Sequence, residues 1–411
     1  MKLKIKLEVF MILGILFALS IIINNNINFK ARISEVNSEF SEELDKTDGL
    51  LKISALNEKI HINNNWSITE STYTWCTGSG TYPDPYIIKD LIIDGGGSGH
   101  CILIENSNVY FKIENCTTFN AGDYHGITLS NVNNSLLFKN NCSYNNRGIS
   151  LTSCDNNTIM ENTANNNDND GIYLAYCSNN MISENTAKDN NMLKPYLVYG
   201  NGIYINIGSN NKILGNNLDD NGHGIYLLNS DHDTVSGNTA KDNRFYGVFW
   251  QTGDNISISS NTFTYNAYGI YLEHILQGNI SGNSLNHNEI GVGLLYSDEN
   301  SLSENEVNNN IYYGIYIHLS DSNIISSNTA NNNGKGVYLL DANNNQILNN
   351  NLIGNEVCWE ELDCEDNVFE NNECARPLLI PAFSIFIIIG TVAGISLILA
   401  FYTFKVRKRS S

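Results

Sequence analysis

"HGIYLLNSDHDTVSGNTAKDNRFYGVFWQTGDNISISSNTFTYNAYGIYL", residues 223–272, holds one unit written twice and the start of a third. Gly224, Gly247 and Gly269 each open a short run of the form glycine, aliphatic, aromatic, apolar. Asn238 and Asn261 close shorter apolar stretches, with Val235 and Ile258 three residues before them. Each run is only a few residues long, alternates with period two, and is bounded by Asn, Ser, Asp and Gly. That is the signature of strands joined by turns, not of helices.

Outward from this stretch the unit continues in both directions. The glycine recurs at Gly126, Gly148, Gly171, Gly202, Gly224, Gly247, Gly269, Gly291, Gly314 and Gly336, in steps of 22 or 23 with a single step of 31. An asparagine column (Asn140, Asn162, Asn185, Asn216, Asn238, Asn261, Asn283, Asn305, Asn328, Asn350) keeps the same steps. An aliphatic column from Leu137 to Ile347 lies three residues before it. Fixed self-similarity over ten units means a solenoid. The units lack the several fixed leucines of a leucine-rich repeat, so a chain that winds once per unit and pairs strand on strand is expected: an all-β parallel β-helix. Stacking at about 4.8 Å per coil makes ten coils a rod of roughly 50 Å. The asparagines belong at a bend, where their amides can bond from coil to coil, a structural role.

The ends differ in kind. Lys2, Lys4 and Lys6 precede an apolar run, so residues 1–23 read as a signal peptide or signal anchor. Residues 24–59, rich in Glu and Asp, read as an acidic stalk or short cap, 60–374 as the β-helix, and 378–404 as a transmembrane helix. The tail 405–411 carries Lys405, Arg407, Lys408 and Arg409 and is expected in the cytoplasm, which leaves the β-helix outside the cell. The formal net charge of the whole chain is −20, and because the ends are basic the exterior part is more acidic still. Such a surface repels phosphate backbones, so nucleic acid is not an expected partner. Nine cysteines outside the cell are open to oxidation. Cys358, Cys364 and Cys374 cluster where a disulfide could close the domain. Cys154 and Cys177 share a position on adjacent coils, either as a pair or as a buried thiol ladder.

The repeats resemble the right-handed parallel β-helix repeats of NosD-like, pectin-lyase-like, carbohydrate-binding and sugar-hydrolysis proteins. The block "WCTGSGTYPDPYIIKDLIIDGGGSGHCILIENSNVYFKIENCTTFN", residues 75–120, resembles the opening coils of archaeal surface proteins of the NosD type. The resemblance covers about residues 60–374. It implies a right-handed solenoid on a cell surface, often glycan-associated, and NosD itself is linked to copper-site maturation. Copper finds little support in the residues: His125 and His223 share a column but lie four coils, about 19 Å, apart. Neither copper nor calcium is therefore assigned, and no cofactor is expected.

Three sets of residues carry functional expectations. The third position of each glycine unit holds Tyr173, Tyr204, Tyr226, Phe249, Tyr271, Tyr316 and Tyr338, interrupted by Gly293. Its neighbours point inward, so this column points out, and rings repeating at the coil spacing suit a polysaccharide or surface glycan. Like residues also simply stack well in ladders. Asp189, Asp220 and Asp242 fall at one position on successive coils, beside His223 in a Gly-His-Gly. Their separations of about 5 and 10 Å bracket the carboxylate spacings of glycosidases, though Asp is an ordinary turn residue. No Arg-x-Lys accompanies the Gly-His-Gly, and a membrane-anchored glycan-binding or adhesive rod is favoured over a polysaccharide lyase or hydrolase. Seven sequons (Asn65, Asn115, Asn133, Asn141, Asn156, Asn255, Asn279) are candidate glycosylation sites.

Overall fold

The computed structural model describes residues 55–56, 58–190 and 200–375. The segments 1–23, 378–404 and 405–411, nearly all of 24–59, and the insertion Met192–Tyr199 lie outside the described residues. No helix among the described residues is long and apolar enough to cross a membrane.

The chain winds as a parallel β-helix. One face is a 13-stranded sheet that runs from Ile60–Asn63 to Val357–Leu362 and holds the glycine units. The second is a 14-stranded sheet of shorter strands ending at Val368–Glu370. The third is a line of short pairings and single bridges, such as Thr163 with Thr186 and Thr186 with Asn217. Neighbouring coils pair in register along the whole rod, as in Tyr204 with Tyr226 and Ile213 with Val235. An antiparallel strand pair, Cys76–Thr77 with Tyr86–Lys89, lies at the start, beside a helix at Trp66–Thr72. Trp66 stacks on Tyr86 at 5.1 Å and donates its indole N–H to Ser107 Oγ, closing the first coils of the core.

The repeat columns have distinct physical jobs. The aliphatic residues after each glycine, Ile127 through Val337, are fully buried, as are Leu137 through Ile347 on the second face. The glycines allow close approach. A Cβ on Gly224 would lie 2.7 Å from the carbonyl oxygen of Gly247 and 2.6 Å from Ala240 Cβ, so no other residue fits. The asparagine column forms the expected ladder. Asn238 donates its backbone N–H and its amide to Asn261 Oδ1, and Asn261 does the same to Asn283.

Corners require left-handed backbone. One corner column runs Asn120, Tyr144, Asn166, Asp189, Asp220, Asp242, Tyr265, His287, Asn309 and Asn332, all with φ between 54° and 62°. Asn and Asp adopt this conformation more readily than other non-glycine residues. The aspartate row read from the sequence thus has a backbone reason to be where it is.

Cys358 and Cys374 form the disulfide that closes the last coil, with Cα atoms 5.9 Å apart. Cys154 and Cys177 are both thiols, sealed in the core. The Cys154 backbone N–H points at Cys177 Sγ, 3.3 Å away. The side-chain hydrogen bond between the pair holds the Cys154 thiol below its ordinary range and pushes that of Cys177 above it.

Candidate functional site on the long sheet

The outer face of the 13-stranded sheet gathers most of the chemistry. Strict period-two alternation would turn the residue before each glycine inward. Instead the alternation breaks at the glycine: both it and the next residue face the core, and the residue before it faces out beside the aromatic column. Two adjacent outward columns result. The first reads His125, Arg147, Asp170, Asn201, His223, Tyr246, Tyr268, Ile290, Tyr313 and Lys335. The second is the Tyr/Phe column.

The polar end of the first column is a hydrogen-bonded chain. Arg147 Nε donates to Asp170 Oδ2 at 2.9 Å, and Asn201 Nδ2 donates to Asp170 Oδ1 at 2.7 Å. Asn201 Oδ1 is 2.7 Å from His223 Nδ1. Because the Asn201 amide nitrogen serves the carboxylate, its oxygen is the acceptor, and His223 Nδ1 carries the proton. Nε2 is left with its lone pair. Asp170 is buried, and that desolvation raises its pKa against the opposing pull of Arg147. Burial lowers His223 to about 4, so its ring is neutral at pH 7. His125 is lowered to about 4 as well, by burial and then by Arg147. The guanidinium of Arg147 lies 3.6 Å over the ring of Tyr173.

The aromatic column is continuous from Tyr173 to Tyr271. Ring centroids are 5.2 Å apart for Tyr173 and Tyr204, 4.8 Å for Tyr204 and Tyr226, 4.9 Å for Tyr226 and Phe249, and 5.4 Å for Phe249 and Tyr271. The middle pairs are nearly parallel and stacked, at 6° and 1°. The column points outward; Tyr204, Tyr226 and Phe249 cover one another's ring faces, whereas Tyr173 meets Tyr204 at 61° and Phe249 is tilted 40° from Tyr271. What it offers solvent is ring edges and phenol hydroxyls, one of which, Tyr226, donates to Gln251 Oε1. Tyr316 and Tyr338 stack beyond the break at Gly293, with Tyr338 the most buried of the set.

The aspartates and His223 occupy different surroundings. Asp220 and Asp242 sit exposed on the corner, and burial, then the neighbouring charges of Asp189, Asp242 and Asp219, raise the Asp220 carboxyl. Lys188 bonds Asp219 at 2.7 Å, and Lys241 bonds Asp242 at 3.1 Å. His223 instead stacks on Tyr246 at 5.2 Å and bonds Asn201. The sequence reading missed Arg147, Asp170 and Asn201. Their signal was a single column holding five polar or ionisable residues in a row before it turned aromatic.

Of the sequons, Asn65, Asn115, Asn156, Asn255 and Asn279 are exposed. Asn133 and Asn141 are half-buried, and their side chains accept hydrogen bonds from Asp155 N–H and Ser143 Oγ. No group of three or more His, Cys, Asp or Glu among the described residues is placed to hold a metal ion. The adjacent thiols Cys154 and Cys177 are closed off from solvent, and His125 and His223 are coils apart, so these donor sets do not fit copper.

Residues 192–376 match the family model described as periplasmic copper-binding protein (NosD), and residues 58–240 match that of the right handed beta helix region. No curated protein matches the sequence. Among solved structures, the periplasmic alginate epimerase AlgG is similar at 14% identity and a TM-score of 0.46, over 78% of this chain and 81% of its own. The Dettilon tailspike protein (gp208) is similar at 14% identity and a TM-score of 0.47, over 61% of this chain and 60% of its own. The A-module of the Azotobacter vinelandii mannuronan C-5 epimerase AlgE6 is similar at 13% and 0.40, over 69% and 92%. The likeness is to the winding of the chain and assigns no activity.

Proposed function

We propose, for a chain that is a NosD-like right-handed parallel β-helix protein, that it is a membrane-anchored surface rod binding glycan along the outer face of its 13-stranded sheet. One observation carries this reading: two adjacent outward columns line that face with aromatic rings and their phenols over many coils, flanked by Arg147 at one end. A strip of phenol hydroxyls repeating at about 4.8 Å suits an extended polymer of polar units. Phenol hydroxyls and ring edges would bond sugar hydroxyls, since the stacked faces are occupied. The apolar segment 378–404 and the basic tail after it supply the anchor and its orientation. The acidic exterior favours uncharged or cationic glycans over acidic ones.

The test is a glycan array probed with an ectodomain of residues 24–376. Binding to at least one polysaccharide is expected, weakened by joint replacement of Tyr204, Tyr226 and Tyr271 with alanine. An array with no signal above background would remove the reading.

The hydrogen-bonded chain favours a second reading, an enzyme that modifies the bound glycan. Asp170 orients Asn201, Asn201 fixes the tautomer of His223, and His223 Nε2 is a neutral base at pH 7. The opposing fact is distance. Arg147, the cation that could steady a developing negative charge, is three coils from His223, about 14 Å. Incubating the ectodomain with a polysaccharide panel, with and without Ca²⁺, separates the readings. The adhesive rod predicts binding without cleavage, both by the parent and by the double variant Asp220→Ala with His223→Ala. Cleavage by the parent protein that this double variant lacks would establish the enzyme.

A further inference from the structure

One pair of side chains has no part in the sheet face or in the closing disulfide. Cys154 and Cys177 hold the same position on adjacent coils. Thr152 and Ala175, two residues before each, pair in register between the strands Arg147–Thr152 and Ile172–Ser178. Backbones stacked at about 4.8 Å lie within the Cα range that a disulfide spans. The side chains turn the same way. Cys154 Sγ donates to Thr152 O at 3.2 Å and Cys177 Sγ to Ala175 O at 3.1 Å, each within its own coil. The Cys154 backbone N–H lies 3.3 Å from Cys177 Sγ, and the two side chains also bond to each other.

Further along the rod the same column shows what the position needs structurally. Ile275 donates its backbone N–H to Ser297 Oγ at 3.1 Å, and Ser297 donates its own to Ser320 Oγ at 2.9 Å. A hydroxyl makes the coil-to-coil bond as well as a sulfur does, so two successive thiols are more than this ladder requires. Their place in the rod is also particular. Arg147 and Asp170, bonded at 2.9 Å on the outer face, belong to the same two coils, and Cys177 lies in the coil with the single step of 31 residues.

We infer that Cys154 and Cys177 are a redox pair that closes to a coil-to-coil disulfide and staples the strand of Arg147 to the strand that follows Asp170. This is independent of glycan binding. An exterior rod, as proposed above, meets oxidising conditions. The electron pair passes to a small-molecule disulfide. The Cys154 thiolate attacks one of its sulfurs, forming a mixed disulfide and releasing one thiol. The Cys177 thiolate then attacks Cys154 Sγ, and the second thiol leaves. The two cysteines thus lose their protons and an electron pair, and the small molecule departs reduced. Cys154 reacts first, because its thiol is held below the ordinary range. Both side chains are sealed in the core, so the exchange takes place as the coils assemble or open.

The test holds the full-length protein in detergent and sub-denaturing urea, with reduced glutathione alone or with a mixture of reduced and oxidised glutathione. The protein is then alkylated in denaturant and cut at Arg, Lys and Glu. Glu161 lies between the two cysteines, so they fall in separate peptides, 148–161 and 162–184. The oxidised sample should yield these two peptides joined, and the reduced sample should yield them apart and alkylated. Hydrogen exchange in Arg147–Thr152 and Ile172–Ser178 should slow about tenfold on oxidation. Cys154→Ser with Cys177→Ser supplies the hydroxyls that this column carries elsewhere, and should exchange alike in both buffers. Alkylation of both cysteines in the oxidised sample would overturn the pair, as would a disulfide from either to a different cysteine. Joined peptides with unchanged exchange would overturn the staple. The parent samples decide by themselves if the double variant fails to fold.

Discussion

Asp233 stands where the three preceding coils carry asparagine. It belongs to a column with Asn157, Asn180 and Asn211, accepts the backbone N–H of Asn211, and accepts the Ser230 hydroxyl. Burial raises its carboxyl to about 6. A folded-state pKa above the unfolded one means that the native protein holds the proton more tightly. Stability from this group is therefore fully present below about pH 4 and lost as the pH rises through 6. At about 1.4 kcal/mol per pH unit the loss is of the order of 2–3 kcal/mol. Asp233→Asn should raise Tm at pH 7 and converge with the parent at pH 4. Equal Tm differences at both values would show that the carboxyl is not the cause. His125 and His223, held neutral by burial, oppose this trend at acid pH, but they cancel between parent and variant. Ile207 is a second local cost: a β-branched residue with φ of 62° at a corner, partly exposed. Left-handed backbone costs such a residue about 1–2 kcal/mol. Ile207→Asn should stabilise by about 1 kcal/mol in urea unfolding; a destabilised variant would mean that the exposed side chain contributes more than the strain.

At the scale of the ladder, one residue serves three coils. Asn261 Oδ1 accepts from the backbone and the amide of Asn238, while its own amide donates to Val235 O and Asn283 Oδ1. Asn261→Leu would leave the buried Asn238 backbone N–H unpaired, at about 1–3 kcal/mol, while the Asn238 amide keeps Ile213 O and Ser236 O. Asn372 accepts the same two bonds from Asn350 but is only partly buried, so water can replace it. Thermal unfolding should therefore drop by several degrees more for Asn261→Leu than for Asn372→Leu. Similar losses would show that water reaches both positions or neither. This ladder was legible in the sequence because an aliphatic residue always preceded it by three. Two others were not: Asn145 through Asn355, five residues further on, and the broken row from Asn157 to Asn345, with Asp233, Ile256 and Gly278 in its gap. The excess of asparagine hid them, since every corner also draws asparagine for its left-handed backbone. Period and hydrophobic pattern gave the coils, because core burial alone dictates them. The polar chain from Arg147 to His223 depends on a break in strand alternation at each glycine, and pattern reasoning that assumes alternation turns those side chains the wrong way.

At the scale of the molecule, each coil touches only its neighbours, so stability is a sum of coil and interface terms and the ends are the weak points. The last coil shows this physically. Val357–Leu362 and Val368–Glu370 are terminal strands of their sheets, and Trp359, Leu362 and Val368 are exposed. Glu360, Glu361, Asp363, Glu365, Asp366, Glu370 and Glu373 crowd the same coil with like charge. Stacking on Phe369 at 5.4 Å gives Trp359 some cover, but the covalent tie is Cys358 to Cys374. A disulfide closing a loop of this size, 16 residues apart, contributes about 3 kcal/mol by restricting the unfolded chain. In a quasi-one-dimensional fold that contribution should remain local. Cys358→Ser with Cys374→Ser is therefore expected to speed hydrogen exchange by about a hundredfold in residues 346–372. Strands around residues 203–250 should exchange as in the parent. Added salt, by screening the acidic row, should recover part of the protection at the end and none elsewhere. Uniform acceleration along the rod would mean that the coils unfold as one cooperative body and that the disulfide stabilises all of them.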